Sequence, residues 1–221
     1  MLNKTDLRNV IASKNRGIAA TDTDRQVIAS TIARVEDLNP TPEPLSATEL
    51  LAGDWRLLYT TSQELLNIDR IPLASLGNIY QCIRPETSRI YNIAEVNALT
   101  PFEGLVSVVA SFEPADAEPI ENTNKTMSAS GVAVAIPSTR RVNVQFERGV
   151  FGLQRILGYE SPAQYIQKLE TTQKLMPLQG IDFAINSNRP PGWLEVTYLD
   201  ADLRIGRGNQ GSRFVLTKDA V

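Results

Sequence analysis

The sequence predicts a mainly β protein, an antiparallel barrel or sandwich fronted by a helical hairpin. From Trp55 onward the apolar residues fall into short runs of strand length, separated by polar stretches rich in Gly, Pro and Asn. Before residue 40 the apolar residues recur at helical spacing instead. Between the two regimes lies NPTPEPL (39–45), a proline-rich connector that cannot continue a helix. These observations divide the chain into a helical hairpin with its connector at 1–45 and a β domain at 46–221.

Taken in order, Leu7, Val10 and Ile11 form one apolar stripe. Val27, Ile28, Ile32, Val35 and Leu38 form a second, after the cap-rich run Thr21-Asp22-Thr23-Asp24. Ser46 and Glu49 have the spacing of a capping box for one short helical turn through Leu51. Nine runs then read as strands: WRLLYTTS (55–62), NIYQCIR (78–84), RIYNIAEV (89–96), LVSVVASF (105–112), TMSASGVAVAI (126–136), RVNVQFER (141–148), WLEVTYL (193–199), LRIGR (203–207) and RFVLT (213–217). EPADAEPIENTNK (113–125) reads as a solvated acidic loop. FGLQRIL (151–157) carries Phe151, Leu153, Ile156 and Leu157 and reads as core, a barrel lid or a membrane-touching patch. Ser161 followed by Pro162 opens a helix before the last three strands.

GRGNQG (206–211) matches the glycine pattern of dinucleotide sites, but such a site needs a helix after the glycines, and the strand-like Phe214, Val215 and Leu216 follow instead. A hairpin is expected, with Gly208, Asn209 and Gly211 supplying positive φ.

Composition narrows function by exclusion. The formal charge is −3, with no basic stripe for a phosphate backbone, so nucleic acid is not an expected partner. The longest apolar runs fall short of the ~20 residues a membrane-spanning helix needs. There is no histidine and one cysteine, Cys82, which removes Ser-His-Asp and Cys-His mechanisms and Cys/His zinc sites from the chain. Cys82 lies in an apolar run and reads as a buried thiol. Asp200-Ala201-Asp202 reads as a tight turn rather than a cation site, its charges paired with Arg204 or Arg207. MLNKTDLRNVIASKNRG is charged where a signal peptide is apolar, so a cytoplasmic compartment is expected.

Gly53-Asp54-Trp55 is a G-x-W of the kind that, in lipocalin-like barrels, lays its Trp across the closed end. Together with NRGIAATDTDRQVI, LNPTPEPL, LLAGDWRLLYTTSQELL, the NIYQ run and GWLEVTYLDADLRIGRGNQGSRFVL, it resembles the plastid lipid-associated (PAP/fibrillin) family over nearly the whole chain. The resemblance implies a lipocalin-like antiparallel β-barrel, peripheral on thylakoid membranes or lipid globules, that handles small hydrophobic molecules such as carotenoids, quinones, tocopherols or acyl lipids. The missing transit peptide favours a cyanobacterial member. A non-catalytic carrier is the leading expectation, without cofactor or metal and with the subunit number open. A coat protein of lipid globules or thylakoid surfaces and a pigment-directed lyase or isomerase are the rivals. A barrel of about eight strands has room for one small ligand.

Six residues are the candidate ligand contacts. Alternation along WRLLYTTS sends Trp55, Leu57, Tyr59 and Thr61 to one face, taken as the inner one. Tyr59 is then either a polar contact in the cavity or core packing. Gln81 and Asn92 are amides at the centres of apolar strands, where they bond either a ligand oxygen or neighbouring backbone. The resemblance adds Arg204 as the residue that closes the barrel on Trp55 through a cation–π contact, with Arg213 as substitute if Leu203 and Ile205 face inward. Phe214 in the last strand completes the set.

Overall fold

The computed structural model describes residues 3–62, 75–98, 102–116, 137–186 and 190–219. Its N-terminal part is two helices, α1 (Lys4–Ala12) and α2 (Asp22–Glu36), each opened by a capping box, Asn3 with Asp6 and Thr21 with Asp24. The turn between them passes directly over the sheet: Arg16 O accepts from Thr60 N at 3.0 Å. A Cβ on Gly17, whose φ is +110°, would sit 2.4 Å from Thr60 O, so this position demands glycine on both counts. Leu7, Ile11, Ile28, Ile32 and Val35 face the sheet, whereas Val27 and Leu38, read as part of the same stripe, are exposed. The expected Ser46–Glu49 box does not form. The short helix α3 (Thr48–Leu51) starts after Ala47, without a side-chain cap.

Nine strands follow among the described residues: β1 (Gly53–Thr60), β2 (Ser75–Arg84), β3 (Arg89–Asn97), β4 (Gly104–Asp116), β5 (Pro137–Leu153), β6 (Ile181–Ala184), β7 (Gly192–Leu199), β8 (Leu203–Gly208) and β9 (Arg213–Lys218). All pairings are antiparallel. The order β4-β3-β2-β1-β9-β8-β7-β5 is closed by a β4–β5 pairing, giving an eight-stranded barrel. The expected mainly β barrel with an N-terminal helical part is therefore the fold observed. β6 stands outside the ring, bonded to Arg148–Phe151 of the long strand β5.

Strand extents depart from expectation in places. The run 126–136 lies outside the described residues. The first residues of the expected acidic loop, Glu113 to Asp116, continue β4, because β5 is long enough to pair with them. β6 was not foreseen: four residues, IDFA, are too few to show a period. FGLQRIL divides between the end of β5 and a helical turn, α4 (Gln154–Leu157). Leu157 is buried there and Phe151 and Ile156 are exposed. The foreseen helix is α5 (Pro162–Thr171), capped by Ser161.

The core has three parts. α1 and α2 cover one outer face of the barrel, against Tyr59, Tyr198, Leu203, Ile205 and Val215. α5 covers the opposite one through Tyr165, Ile166 and Leu169, against Cys82, Tyr91, Ile93, Leu105, Val109 and Val150. The third part is the barrel interior, from Leu51 and Trp55 to Leu199 and Leu216. Cys82 is fully buried on the α5 side, and burial pushes its thiol far up.

GRGNQG is a hairpin turn between β8 and β9, with a single 3-10 turn at Asn209–Gly211. The expected φ pattern needs correction. Only Gly211 has positive φ, +72°, while Gly208 sits at −129° in extended backbone. A Cβ at position 208 would come within 3.1 Å of the Phe214 ring, a close contact that the ring would have to ease by a few tenths of an ångström.

Candidate functional site

The inward face can be read from the register, because directly paired residues of antiparallel neighbours share a face. Trp55 pairs with Gln81, Gln81 with Asn92 and Asn92 with Val108, a row that crosses four strands at one level. On the other side of β1, Arg204 pairs with Leu216, and Leu216 with Leu57. Leu203 and Ile205 point outward beneath α1 and α2, which leaves Arg204 to point in; Arg213 is not needed as a substitute.

Trp55 is fully buried at one end of the interior. Its indole Nε1 donates to Leu51 O at 2.9 Å, and Leu45 and Ala47 pack against the cluster that Trp55 and Leu51 share. The Arg204 guanidinium carbon lies 5.2 Å from the Trp55 ring centroid, within cation–π range. Lys218 Nζ is also 5.2 Å from that centroid and donates to Leu50 O at 3.0 Å. Lys218 escaped the sequence reading. The alternation Phe214, Leu216, Lys218 was the signal that could have found it.

Arg204, Gln81 and Asn92 form a chain of hydrogen bonds. Arg204 Nη2 donates to Gln81 Oε1 at 2.5 Å, and Gln81 Nε2 donates to Asn92 Oδ1 at 3.1 Å. Arg204 is 1% exposed, and its Nε and Nη1 have no hydrogen-bond partner. Burial lowers its pKa to about 9. The Lys218 ammonium is pushed down as well, first by burial and then by the neighbouring Arg204 charge.

Phe214 lies on the inward face, paired with Gly206 and with Thr60. Tyr59 does not. The β1–β9 register slips between Leu57 and Tyr59, and this bulge reverses the alternation, turning Tyr59 out under the helices and bringing Thr60 in. The expectation that Tyr59 shares the face of Trp55 is corrected by that one extra residue. The structure thus brings Trp55, Gln81, Asn92 and Arg204 together, places Phe214 farther along the same face, and puts Tyr59 on the other side of the sheet.

Along the interior, Val106, Phe112, Leu194 and Phe214 face inward yet are only partly buried. The same face continues across β5 to β6: Val106 pairs with Phe151, and Phe151 with Ile181. The Phe151 and Phe183 rings stack at 6.0 Å, and a Cβ on Gly149 would meet the Phe183 ring at 2.6 Å. One end of the interior is thus closed by Trp55 and α3, and the face toward β4–β6 carries accessible apolar side chains.

The Asp200–Asp202 turn is separate from this site. Asp200 Oδ1 accepts from the N–H groups of Asp202 at 3.0 Å and Leu203 at 2.8 Å, as expected of a tight turn. The charges, however, pair with Lys4 and Arg8 of α1, not with Arg204 or Arg207. Arg207 pairs with Glu36 instead.

The family model PAP_fibrillin matches residues 1–130 and 117–217. A potato protein named "Light-induced protein, chloroplastic" is 29% identical over 98% of this chain and 67% of its own length. "Probable plastid-lipid-associated protein 3, chloroplastic" of rice is 31% identical over 98% of this chain and 58% of its own, and "Plastoglobulin-1, chloroplastic" of pea is 31% identical over 98% and 60%. No solved structure matches the chain. The relatives correct the expected compartment: they are named chloroplastic and point to a plastid rather than a cytoplasm. That expectation rested on the composition of the first residues, which is no measure of destination. The relatives are plant proteins and carry no argument for a cyanobacterial origin.

Proposed function

Because the chain belongs to the PAP_fibrillin family, we propose that it is a non-catalytic, lipid-associated binding protein, holding one small hydrophobic molecule in its barrel at the surface of a plastid lipid globule. The observation that carries this reading is the interior itself: a polar cluster of Arg204, Gln81 and Asn92 beside Trp55, at the end of a barrel whose inward apolar residues stay partly accessible. A few polar groups in a mostly apolar concavity is the usual composition of a ligand site. The names of the relatives, plastid-lipid-associated protein and plastoglobulin, support the lipid surface. Titration of the purified chain with a long-chain quinone, a carotenoid and a fatty acid tests the reading. Saturable quenching of tryptophan emission by one of them is expected, and no saturable signal from any of them would overturn it.

A coat role is the second reading. Ile156, Met176, Leu178 and Ile181 are exposed around α4 and β6, and Arg155 and Lys174 are exposed on the same segments. Apolar side chains beside cations suit the boundary between acyl chains and head groups. If this surface carries the function, Leu178→Ser with Ile181→Ser abolishes co-flotation with liposomes, and ligand quenching is absent from the parent protein.

A further inference from the structure

We infer that the barrel interior is built for an anionic head group: its occupant is a single-chain lipid carboxylate whose oxygens accept from the Arg204 guanidinium, with the chain running along Val106, Phe112, Leu194 and Phe214. This rests on the carrier reading and names the class of ligand.

The starting point is the state of Arg204. A guanidinium almost wholly removed from water normally has a carboxylate partner and all its N–H groups bonded, since an uncompensated buried charge is strongly destabilising. Arg204 has one hydrogen bond, to a neutral amide, and two nitrogens without a partner. The carboxylates of the surrounding strands are turned outward and engaged: Asp54 with Arg84, Asp182 with Arg148, Glu195 with Arg141, Asp219 with Arg56, and Glu95 with the Tyr159 hydroxyl. A second cation, Lys218, lies at the same indole ring. One cation, Arg204, is therefore buried at this end of the interior, Lys218 lies at the same ring with its ammonium on the exposed carbonyls of Glu49 and Leu50, and among the described residues no inward carboxylate faces Arg204.

A carboxylate supplies what is missing. Its two oxygens match the fork of a guanidinium and form charge-assisted bonds, stronger than those to a neutral carbonyl. A quinone or carotenoid oxygen accepts hydrogen bonds but leaves the charge uncompensated. The half-buried amides of Gln81 and Asn92 stand between Arg204 and the accessible part of the interior. Gln81 Oε1, the acceptor now on Nη2, is the group a carboxylate oxygen displaces, while Gln81 Nε2 keeps its bond to Asn92 Oδ1.

The test uses the full chain stripped of lipid and titrated with oleate, oleyl alcohol, methyl oleate and a long-chain quinone, read by calorimetry and tryptophan quenching. Oleate is expected to bind about tenfold or more tighter than the alcohol or the ester, the equivalent of ~1.4 kcal/mol. Arg204→Gln should remove that preference, bringing the oleate affinity down to that of the alcohol and the ester, and Arg204→Lys should restore part of it. Equal affinity for oleate, alcohol and ester overturns the anionic assignment and leaves the carrier reading standing. Binding of none of the four overturns the assignment, and the carrier reading falls with it if a carotenoid also gives no saturable signal. If Arg204→Gln fails to fold by circular dichroism, the ligand series on the parent protein decides alone.

Discussion

Arg204 reaches Trp55 over the inner face of β9, the one strand between them, so the pair ties β8 to β1 through side chains rather than through backbone pairing. A cation–π contact of this kind contributes about 0.5 to 2 kcal/mol, toward the upper end when water is excluded. A double-mutant cycle of Trp55→Phe and Arg204→Lys, read by urea denaturation, is expected to show coupling above the roughly 0.5 kcal/mol of independent sites. Additivity would mean that the two residues are only neighbours. Arg204 entered through the family resemblance, and alternation along LRIGR tied its direction to that of Leu203 and Ile205 without saying which face is inner. The outward turn of Tyr59 was not legible in the sequence, because a bulge is a property of two strands and leaves no mark on either one alone.

At the scale of elements, α1 is fastened to the β7–β8 turn. The Asp200 carboxylate accepts from Lys4 Nζ at 2.8 Å and Tyr198 OH at 2.7 Å, besides the two backbone N–H groups of its own turn. Arg8 adds a bond to Asp202 at 2.9 Å. Burial works to raise the Asp200 pKa, but the bonds from Lys4, Tyr198 and the turn outweigh it and hold the carboxyl well below the usual range. A depressed carboxyl pKa stabilises the fold above its unfolded value, about 3.9, and that contribution is lost as pH falls toward the folded value. Asp200→Ala is therefore expected to cost about 1 to 3 kcal/mol at neutral pH. The gap between variant and parent should narrow progressively below about pH 4. Equal urea midpoints at neutral pH would show that the tie contributes nothing. Sequence placed both ends of this tie, a helix start and a tight turn, but it paired the turn with the nearer arginines. Nothing local records that residue 4 lies beside residue 200.

Across the whole molecule, the six tyrosines share one electrostatic fate. Burial raises every phenol: Tyr80, Tyr91 and Tyr198 to about 12, Tyr159 further with help from Glu95, and Tyr59 and Tyr165 upward as well. In the unfolded chain these groups ionise near 10. The unfolded state then binds fewer protons than the native one, so stability is whole below about pH 10 and falls as pH rises through the native values near 12. Arg204 opposes this trend as a single group, its charge being disfavoured in the fold. Phenolate absorbance is expected to appear together with loss of near-UV circular dichroism in an alkaline titration. Phenolate formation near pH 10 with the near-UV signal intact would contradict it.

The sequence by itself determined the class of the fold, most of the strands, both N-terminal helices, the capped α5 and the family. Each of these is written in local periodicity, in cap and turn residues, or in a run of neighbouring letters such as the G-x-W block. It also singled out Gln81 and Asn92 as polar residues at the centres of apolar strands, and the family resemblance added Arg204; the structure brings the three together beside Trp55. Only the tertiary structure decided that β4 and β5 close the ring, that β6 docks outside it, that Tyr59 turns away, and that Lys218 joins Arg204 at the indole. Ring closure, register slips and charge pairing all depend on which strands become neighbours. That is settled by the packing of the whole sheet, between residues that stand far apart in the chain.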